Sequence, residues 1–376
     1  MVDDAFIATK FYICYECKYI QVNSQNKPRK IAIVAYNLEP GGLANVIQNV
    51  FKILQSVSYF QVKLILLDER KEVQNKNIVI LSNNKFKKYF QLFNLLNNHK
   101  WDYIIDLRYR INPLTEVLIT KFIYPKIKTI YNVHSSRLQT YLPKNVTLVN
   151  WLYGTSYKIV CGAKGNEDLV VEKYNLKNTC TLYNPIDINF ISEKANEPIE
   201  LDFEYILAVG RVEEVKQFDL LIEAYSNSIL VDRNIKLVIV GDGSQLSKCK
   251  EKVKQLNLED KVIFEGFSKN PYKYMKQAKF FVLSSKYEGF GLVLVESLAC
   301  RTPVISFDLQ TGPNEIITHE DNGLLVKNQD FDELIKAMNC FENEKDLYNH
   351  CKANSVKSIS KFAMENIKND WLNLLK

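Results

Sequence analysis

Apolar residues fall along this chain in short runs, separated by longer polar or amphipathic stretches. In the first half the runs are Lys30–Tyr36, Val62–Asp68, Tyr103–Leu107, Lys128–Val133 and Lys158–Cys161. In the second half they are Tyr205–Val209, Lys236–Val240, Val262–Glu265, Phe280–Leu283, Pro303–Ser306 and Leu324–Val326. Most are apolar throughout rather than alternating, as in strands buried on both faces. Such strands, alternating with helix-length segments, predict parallel sheets with crossover helices and hence an α/β fold.

The series is interrupted once. Tyr183-Asn184-Pro185-Ile186-Asp187, followed by the acidic, strand-poor Glu193–Glu204, reads as a linker. The pattern predicts two doubly wound, Rossmann-like domains, 29–187 and 188–359, with the C-terminal edges of both sheets facing a central cleft. After them, Ser360–Leu375 carries Phe362, Ile367, Trp371 and Leu375 on a helical stripe. Residues 360–376 are therefore expected to pack back across the junction. Residues 1–28 form an extension whose pattern assigns no role.

Composition narrows the class. A chain of 376 residues, 47% hydrophobic and 24% charged, is globular rather than disordered. No apolar run approaches the ~18 residues that span a bilayer. The acidic start, Met1-Val2-Asp3-Asp4, lacks the order of a signal peptide, so a cytoplasmic protein is expected. The net charge of +6 conceals a division: residues 1–185 hold 25 Lys+Arg against 13 Asp+Glu, and the remainder 24 against 30. A surplus of this size in one half points to an anionic partner, whether nucleic acid, lipid headgroups or a phosphorylated substrate.

Cys14 and Cys17 form one CxxC with no second pair at zinc-like spacing, and the other six cysteines are scattered. In runs such as Ile159-Val160-Cys161 they act as small buried hydrophobes. No metal site is expected.

Two constellations carry chemistry. The stretch from Phe280 to Glu296 reads as buried strand, glycine loop and amphipathic helix. Gly289 and Gly291 let backbone amides approach an anion at the helix N-terminus, and Glu288 and Glu296 border the same place. Phosphate beside two carboxylates suggests a sugar nucleotide; a capping carboxylate and a solvated helix-face Glu are the plainer alternative. The second constellation is Tyr205–Val209 running into Gly210-Arg211, with Lys216 five residues on. A guanidinium and an ammonium at a strand end are suited to clamping a diphosphate.

In this order, Gly210-Arg211-x4-Lys216, Val240-Gly241-Asp242-Gly243, Glu288-x7-Glu296 and Gly323-Leu324-Leu325-Val326 resemble glycosyltransferase family 4, retaining enzymes of the two-domain GT-B fold. The resemblance covers the second half strongly and the first loosely. It implies that Arg211 and Lys216 bind the donor diphosphate, Glu288 lies beside the donor sugar and Glu296 holds the ribose. It also implies main-chain contacts at Gly210, Gly289, Phe290, Gly291 and Leu292, with the base near Ser268. Gln217 departs from the glycine that the family often has.

In the first half, Glu39-Pro40-Gly41-Gly42-Leu43 follows a strand but is not GxGxxG. By the resemblance, Gly42 is the donor-side contact. His134, in Asn132-Val133-His134-Ser135-Ser136, falls where the family often has a histidine near the reacting sugar. The Gly312-Pro313-Asn314-Glu315 pattern resembles a subgroup of bacterial lipopolysaccharide and capsule transferases.

The expected activity is transfer of a hexose or N-acetylhexosamine, with retention, from a nucleotide diphosphate sugar (UDP-linked) to a lipid-linked saccharide in surface glycan synthesis. No Asp-x-Asp calls for a divalent ion, and no cofactor is expected. No nucleic-acid reading module is present. Lysines interleaved with Phe, Tyr and Ile in Asn84–Phe90 and Lys121–Lys128 suit peripheral docking on an anionic membrane instead. Two rivals share these motifs. A sugar-nucleotide 2-epimerase would consume donor without acceptor, and a non-catalytic sugar-nucleotide-binding partner would tolerate Lys216→Ala.

Overall fold

The computed structural model describes residues 27–69, 74–124 and 126–376. Most of the N-terminal extension, with Cys14 and Cys17, lies outside the described residues. The first sheet contains β1 (Arg29–Ala35), β2 (Phe60–Leu66), β3 (Ile78–Ile80), β4 (Tyr103–Asp106), β5 (Lys128–Val133), β6 (Lys158–Cys161) and β7 (Thr179–Thr181), in the order β3-β2-β1-β4-β5-β6-β7. The second contains β8 (Tyr205–Val209), β9 (Lys236–Val240), β10 (Val262–Gly266), β11 (Phe281–Leu283), β12 (Val304–Phe307) and β13 (Gly323–Val326), in the order β10-β9-β8-β11-β12-β13.

All described pairings are parallel; β1, for example, sets Ile31 opposite Tyr103 of β4 on one side and Val62 of β2 on the other. Both faces of the central strands are covered, so Ile31, Ala32, Ile33 and Val34 are all fully buried. That burial is why these runs lack alternation. The sequence pattern missed β3 and β7. Each has only three residues and occupies a sheet edge: β7, Thr-Cys-Thr, has no apolar run, and that of β3, Ile-Val-Ile, is too short to stand out.

The segment read as a linker is interrupted by a helix, Ile188–Lys194, whose first turn is capped by the Asp187 carboxylate accepting from Phe190 N–H. The chain then crosses back near residue 360, where a short 3-10 turn, Ser360–Phe362, precedes the helix Met364–Leu374. Ile186 and Ala363 pair as a parallel bridge, so the two crossing segments run side by side. Ile367, Trp371 and Leu375 belong to the core under the first sheet, beside Val50, Leu54 and Tyr103. Tyr157 and Tyr103 donate to the carbonyls of Leu374 and Lys376 at 2.9 and 3.1 Å.

The first domain also contains a buried ionic group that hydrophobic patterning does not reveal. Just past β4, the Arg108 guanidinium donates to Asp106 at 2.7 Å and to Glu116 at 3.2 Å, with all three side chains out of water. Burial opposes the Arg108 charge, yet the two carboxylates hold its pKa well above its ordinary value. Arg110, equally buried, donates to the carbonyls of Tyr141, Arg108 and Asn132 and stands 5.3–5.6 Å from the ring centres of Tyr131, Tyr141 and Tyr153.

Candidate active site

The strand ends of the two sheets meet across a cleft, and backbone contacts there are close enough to dictate residue type. A Cβ on Gly289 would stand 2.1 Å from the His134 carbonyl oxygen of the facing domain, so no other residue fits there without separating the domains. Asn166, also from the first domain, donates to the Gly289 carbonyl at 2.7 Å. Gly291 adopts φ +90°, which an L side chain resists, and this turn starts the helix Leu292–Ala299. Gly42, at the start of the helix Gly42–Gln55, lies against Leu292 across the cleft.

The charged groups gather beside this contact. Lys216 donates to the Glu288 carboxylate at 2.6 Å, and the Ser285 hydroxyl donates to the same oxygen at 2.7 Å. The Lys216 side chain runs past Gly210, where a Cβ would stand 3.1 Å from its Cε. Thr311 fixes the loop by donating to the Glu288 carbonyl. Arg211 is exposed on the loop after β8, and among the described residues no carboxylate lies within ion-pair distance of it. One cation is therefore paired with the candidate sugar-side carboxylate, and a second is open to an anion.

Glu296, one turn further into the helix, is only 7% exposed and accepts from Asn45 Nδ2 at 3.3 Å and the Tyr272 hydroxyl at 3.4 Å. Burial raises its pKa to about 7, against the two hydrogen bonds, which lower it. His134 is held by Asn184: with Asn184 Oδ1 accepting at 3.1 Å, Nδ1 carries the proton. Nε2 is then a buried acceptor with no partner among the described residues. Burial pushes this imidazole down to about 4, so it is neutral at pH 7.

The structure thus brings together Gly42, His134, Gly210, Lys216, Glu288, Gly289, Gly291, Leu292 and Glu296. Phe290 has its side chain in the core against Tyr183 and Phe362. Ser268 stands apart, beyond the end of β10, where its hydroxyl accepts from Asn270 N–H in a local turn. Gln217 takes a left-handed conformation, φ 51°, at the cap of the helix Phe218–Ser226, which gives a physical reason for glycine at this position. The Gly312–Glu315 loop clamps the domains: Glu315 accepts from the backbone N–H of Lys164 at 2.6 Å and of Gly165 at 2.9 Å.

Sequence reasoning missed Asn45, Asn166, Asn184 and Tyr272. The available signal was weak: a neutral polar residue in or before the first turn of a helix after a strand, which is also an ordinary capping position.

Comparison with known proteins identifies the family. Residues 189–358 match the family model described as "Glycosyl transferases group 1". Over 319 residues, 80% of this chain and 86% of the relative, the chain is 33% identical to the N-acetylgalactosamine-N,N'-diacetylbacillosaminyl-diphospho-undecaprenol 4-alpha-N-acetylgalactosaminyltransferase of Campylobacter jejuni. The chain is a group 1 glycosyltransferase. A second C. jejuni protein, the GalNAc-alpha-(1->4)-GalNAc-alpha-(1->3)-diNAcBac-PP-undecaprenol alpha-1,4-N-acetyl-D-galactosaminyltransferase, is 28% identical over 77% of this chain and 79% of its own. The fold is shared with Anabaena Alr3699/HepE solved with UDP: TM-score 0.75 at 18% identity, covering 92% of this chain and 99% of that one. Two parallel, Rossmann-like sheets in this arrangement make the group 1 glycosyltransferase a GT-B protein.

Proposed function

We propose that this glycosyltransferase moves a hexose or N-acetylhexosamine, with retention, from a UDP-sugar to a lipid-linked saccharide in surface glycan synthesis. The observation that carries the reading is the Lys216–Glu288 pair at 2.6 Å, set in the glycine loop and faced by His134 from the other domain. A UDP diphosphate takes Lys216 and Arg211 as counterions and the amides at residues 290–292 as donors. Glu288, released from Lys216, accepts hydroxyl protons of the donor sugar. Glu296, in its ionised form, takes the ribose hydroxyls. Neutral His134 offers its Nε2 lone pair to a further sugar hydroxyl.

As the glycosidic bond breaks, charge collects on the leaving phosphate, and Arg211, Lys216 and the helix N-terminus stabilise it there. The leaving phosphate then takes the acceptor hydroxyl's proton on the same face. This reading needs no covalent carboxylate nucleophile and routes no charge through a divalent ion, so EDTA should leave the rate unchanged. The undecaprenol-linked acceptors named for the two C. jejuni relatives and the UDP bound by the Anabaena protein support this choice of acceptor and donor. We further propose a cytoplasmic enzyme touching anionic membrane through the basic clusters at 84–90 and 121–128. Among the described residues no helix is long and apolar enough to cross a membrane, so such contact would be peripheral.

The test has two stages. UDP-sugars are screened for thermal stabilisation, and the best is incubated with membrane extract. The anomeric coupling constant of the product is then read by NMR. An α-linked product from an α-linked donor is expected, whereas inversion would reject the mechanism. UDP release without acceptor would favour an epimerase.

A further inference from the structure

Among the described residues, twelve of fourteen exposed large hydrophobic side chains belong to the first domain, so their placement is a property of that domain rather than general surface wear. They are concentrated on adjoining helices. On Lys85–Asn97, Phe86, Phe90 and Phe93 recur at helical spacing and are 88, 65 and 43% exposed. On Pro113–Leu118 and the π-helical turn Ile119–Ile123 that continues it, Leu114, Leu118 and Phe122 repeat the pattern at 81, 41 and 64%.

The helices touch. Asn97 Nδ2 reaches the Ile123 carbonyl at 3.4 Å, while Lys121 donates to the Trp151 carbonyl at 2.6 Å and lies 4.8 Å from the half-exposed Trp151 ring. The opposite faces, through Leu92, Leu96, Ile119 and Ile123, are buried in the core. The outward rows are therefore surplus to folding.

Charge identifies the occupant. Neither 81–100 nor 111–127 contains an acidic residue apart from Glu116, and Glu116 is buried against Arg108. Lys85, Lys87 and Lys126 are exposed around the rings. Exposed aromatics and leucines on segments that bring lysines and no exposed carboxylate of their own match the interface of an anionic bilayer, with phosphates for the lysines and acyl chains for the rings. We infer that these two helices form a wedge that inserts into the acyl-chain boundary of an anionic leaflet. The inference rests on the membrane contact proposed above and goes beyond it, since insertion predicts binding that survives salt.

Full-length protein is sedimented with vesicles of equal phosphatidylglycerol and phosphatidylcholine at low and high salt. The parent should keep substantial binding at high salt, and Trp151 emission should be quenched by brominated acyl chains. Phe86→Ser/Phe90→Ser/Phe122→Ser should weaken binding by roughly tenfold or more at both salts. Lys85→Ala/Lys87→Ala should weaken it at low salt only. Because the three rings are exposed, unchanged melting should confirm that the triple variant folds.

Parental binding by the triple variant would overturn the wedge, as would loss of all parental binding at high salt. A parental dimer in lipid-free buffer that the triple variant dissociates would also overturn it, assigning the face to a second copy of the chain. If no UDP-sugar supports transfer but the vesicle results hold, the proposed reaction falls and the wedge stands.

Discussion

The two sheets are built alike, yet the domains around them distribute charge in opposite ways. The first buries Arg108, Arg110, Asp106 and Glu116 and leaves Phe86, Leu114 and Phe122 in water. The second buries Phe280, Phe281, Phe307 and Phe341 and keeps Arg211 at the cleft. The donor-side domain has the reverse arrangement, and its one deeply buried site carboxylate, Glu296, meets Asn45 from across the cleft. The proposed division of labour follows from this: the second domain would concentrate electrostatics on one small ligand, and the first would offer an extended surface.

The largest test of this contrast is Arg108→Met. It removes the partner of buried Glu116 and leaves Asp106 with only the Arg110 guanidinium 3.9 Å away, and should cost the first domain about 3–5 kcal/mol. Trp101 and Trp151 lie in this domain and Trp371 packs into its core, so urea unfolding followed by tryptophan emission reports it selectively. A loss under about 1 kcal/mol would show that the cluster is not what holds this domain.

Next in size is Lys216→Ala, expected to lower turnover about 10²–10³-fold with little change in stability, since it removes charge aimed at the leaving phosphate. An equal fall in turnover from the Phe86→Ser variant on a water-soluble acceptor would erase the distinction between chemistry and surface.

A smaller effect concerns pH. If Glu296 holds the ribose as proposed, donor binding needs its ionised form, whose pKa is raised to about 7, so the KM for donor should fall as pH rises from 6 to 8. The same raised pKa makes folding lose stability as pH rises from its unfolded value toward 7, because the unfolded carboxyl gives up its proton first. Glu296→Gln should flatten both trends. Asn45→Ala removes a bond that favours the charged form and should move the KM transition upward. His134, neutral above about pH 4, should not contribute in this range. A pH-independent donor KM in the parent would remove Glu296 from the ribose position.

The smallest is Gln217→Gly, which relieves a left-handed φ of 51° but frees the unfolded chain, for a net gain of about 0.5 kcal/mol. The second domain has no tryptophan of its own, so circular dichroism is the readout. Destabilisation would mean that the Gln217–Gln329 hydrogen bond at 2.9 Å matters more than backbone strain.

What was legible in the sequence follows from burial. Strands covered on both faces, such as β8 and β9, are written as continuous apolar runs and were found at their observed bounds. The edge strands left less: β7 has no apolar run, and that of β3 spans only three strand residues. The charged residues Lys216 and Glu288 were visible because they sit at fixed spacings after strands. Asn45, Asn166 and Asn184 were not, because each acts on a residue far away in sequence, at separations of 251, 123 and 50 residues. The Asp106–Arg108–Glu116 cluster was hidden for another reason: a charged residue at or beyond the end of an apolar run reads as solvated until tertiary structure closes over it.

The return of the chain through Ile186 and Ala363 has a consequence for how this protein is made. Domains generally assemble in the order in which the ribosome delivers them. Here the core of the domain synthesised first includes Ile367, Trp371 and Leu375, which are translated only after the whole second domain. The nascent first domain must therefore wait with that part of its core unfilled while the second is built, and it closes only after synthesis reaches the helix Met364–Leu374. The earlier half of the message specifies the domain that is finished last.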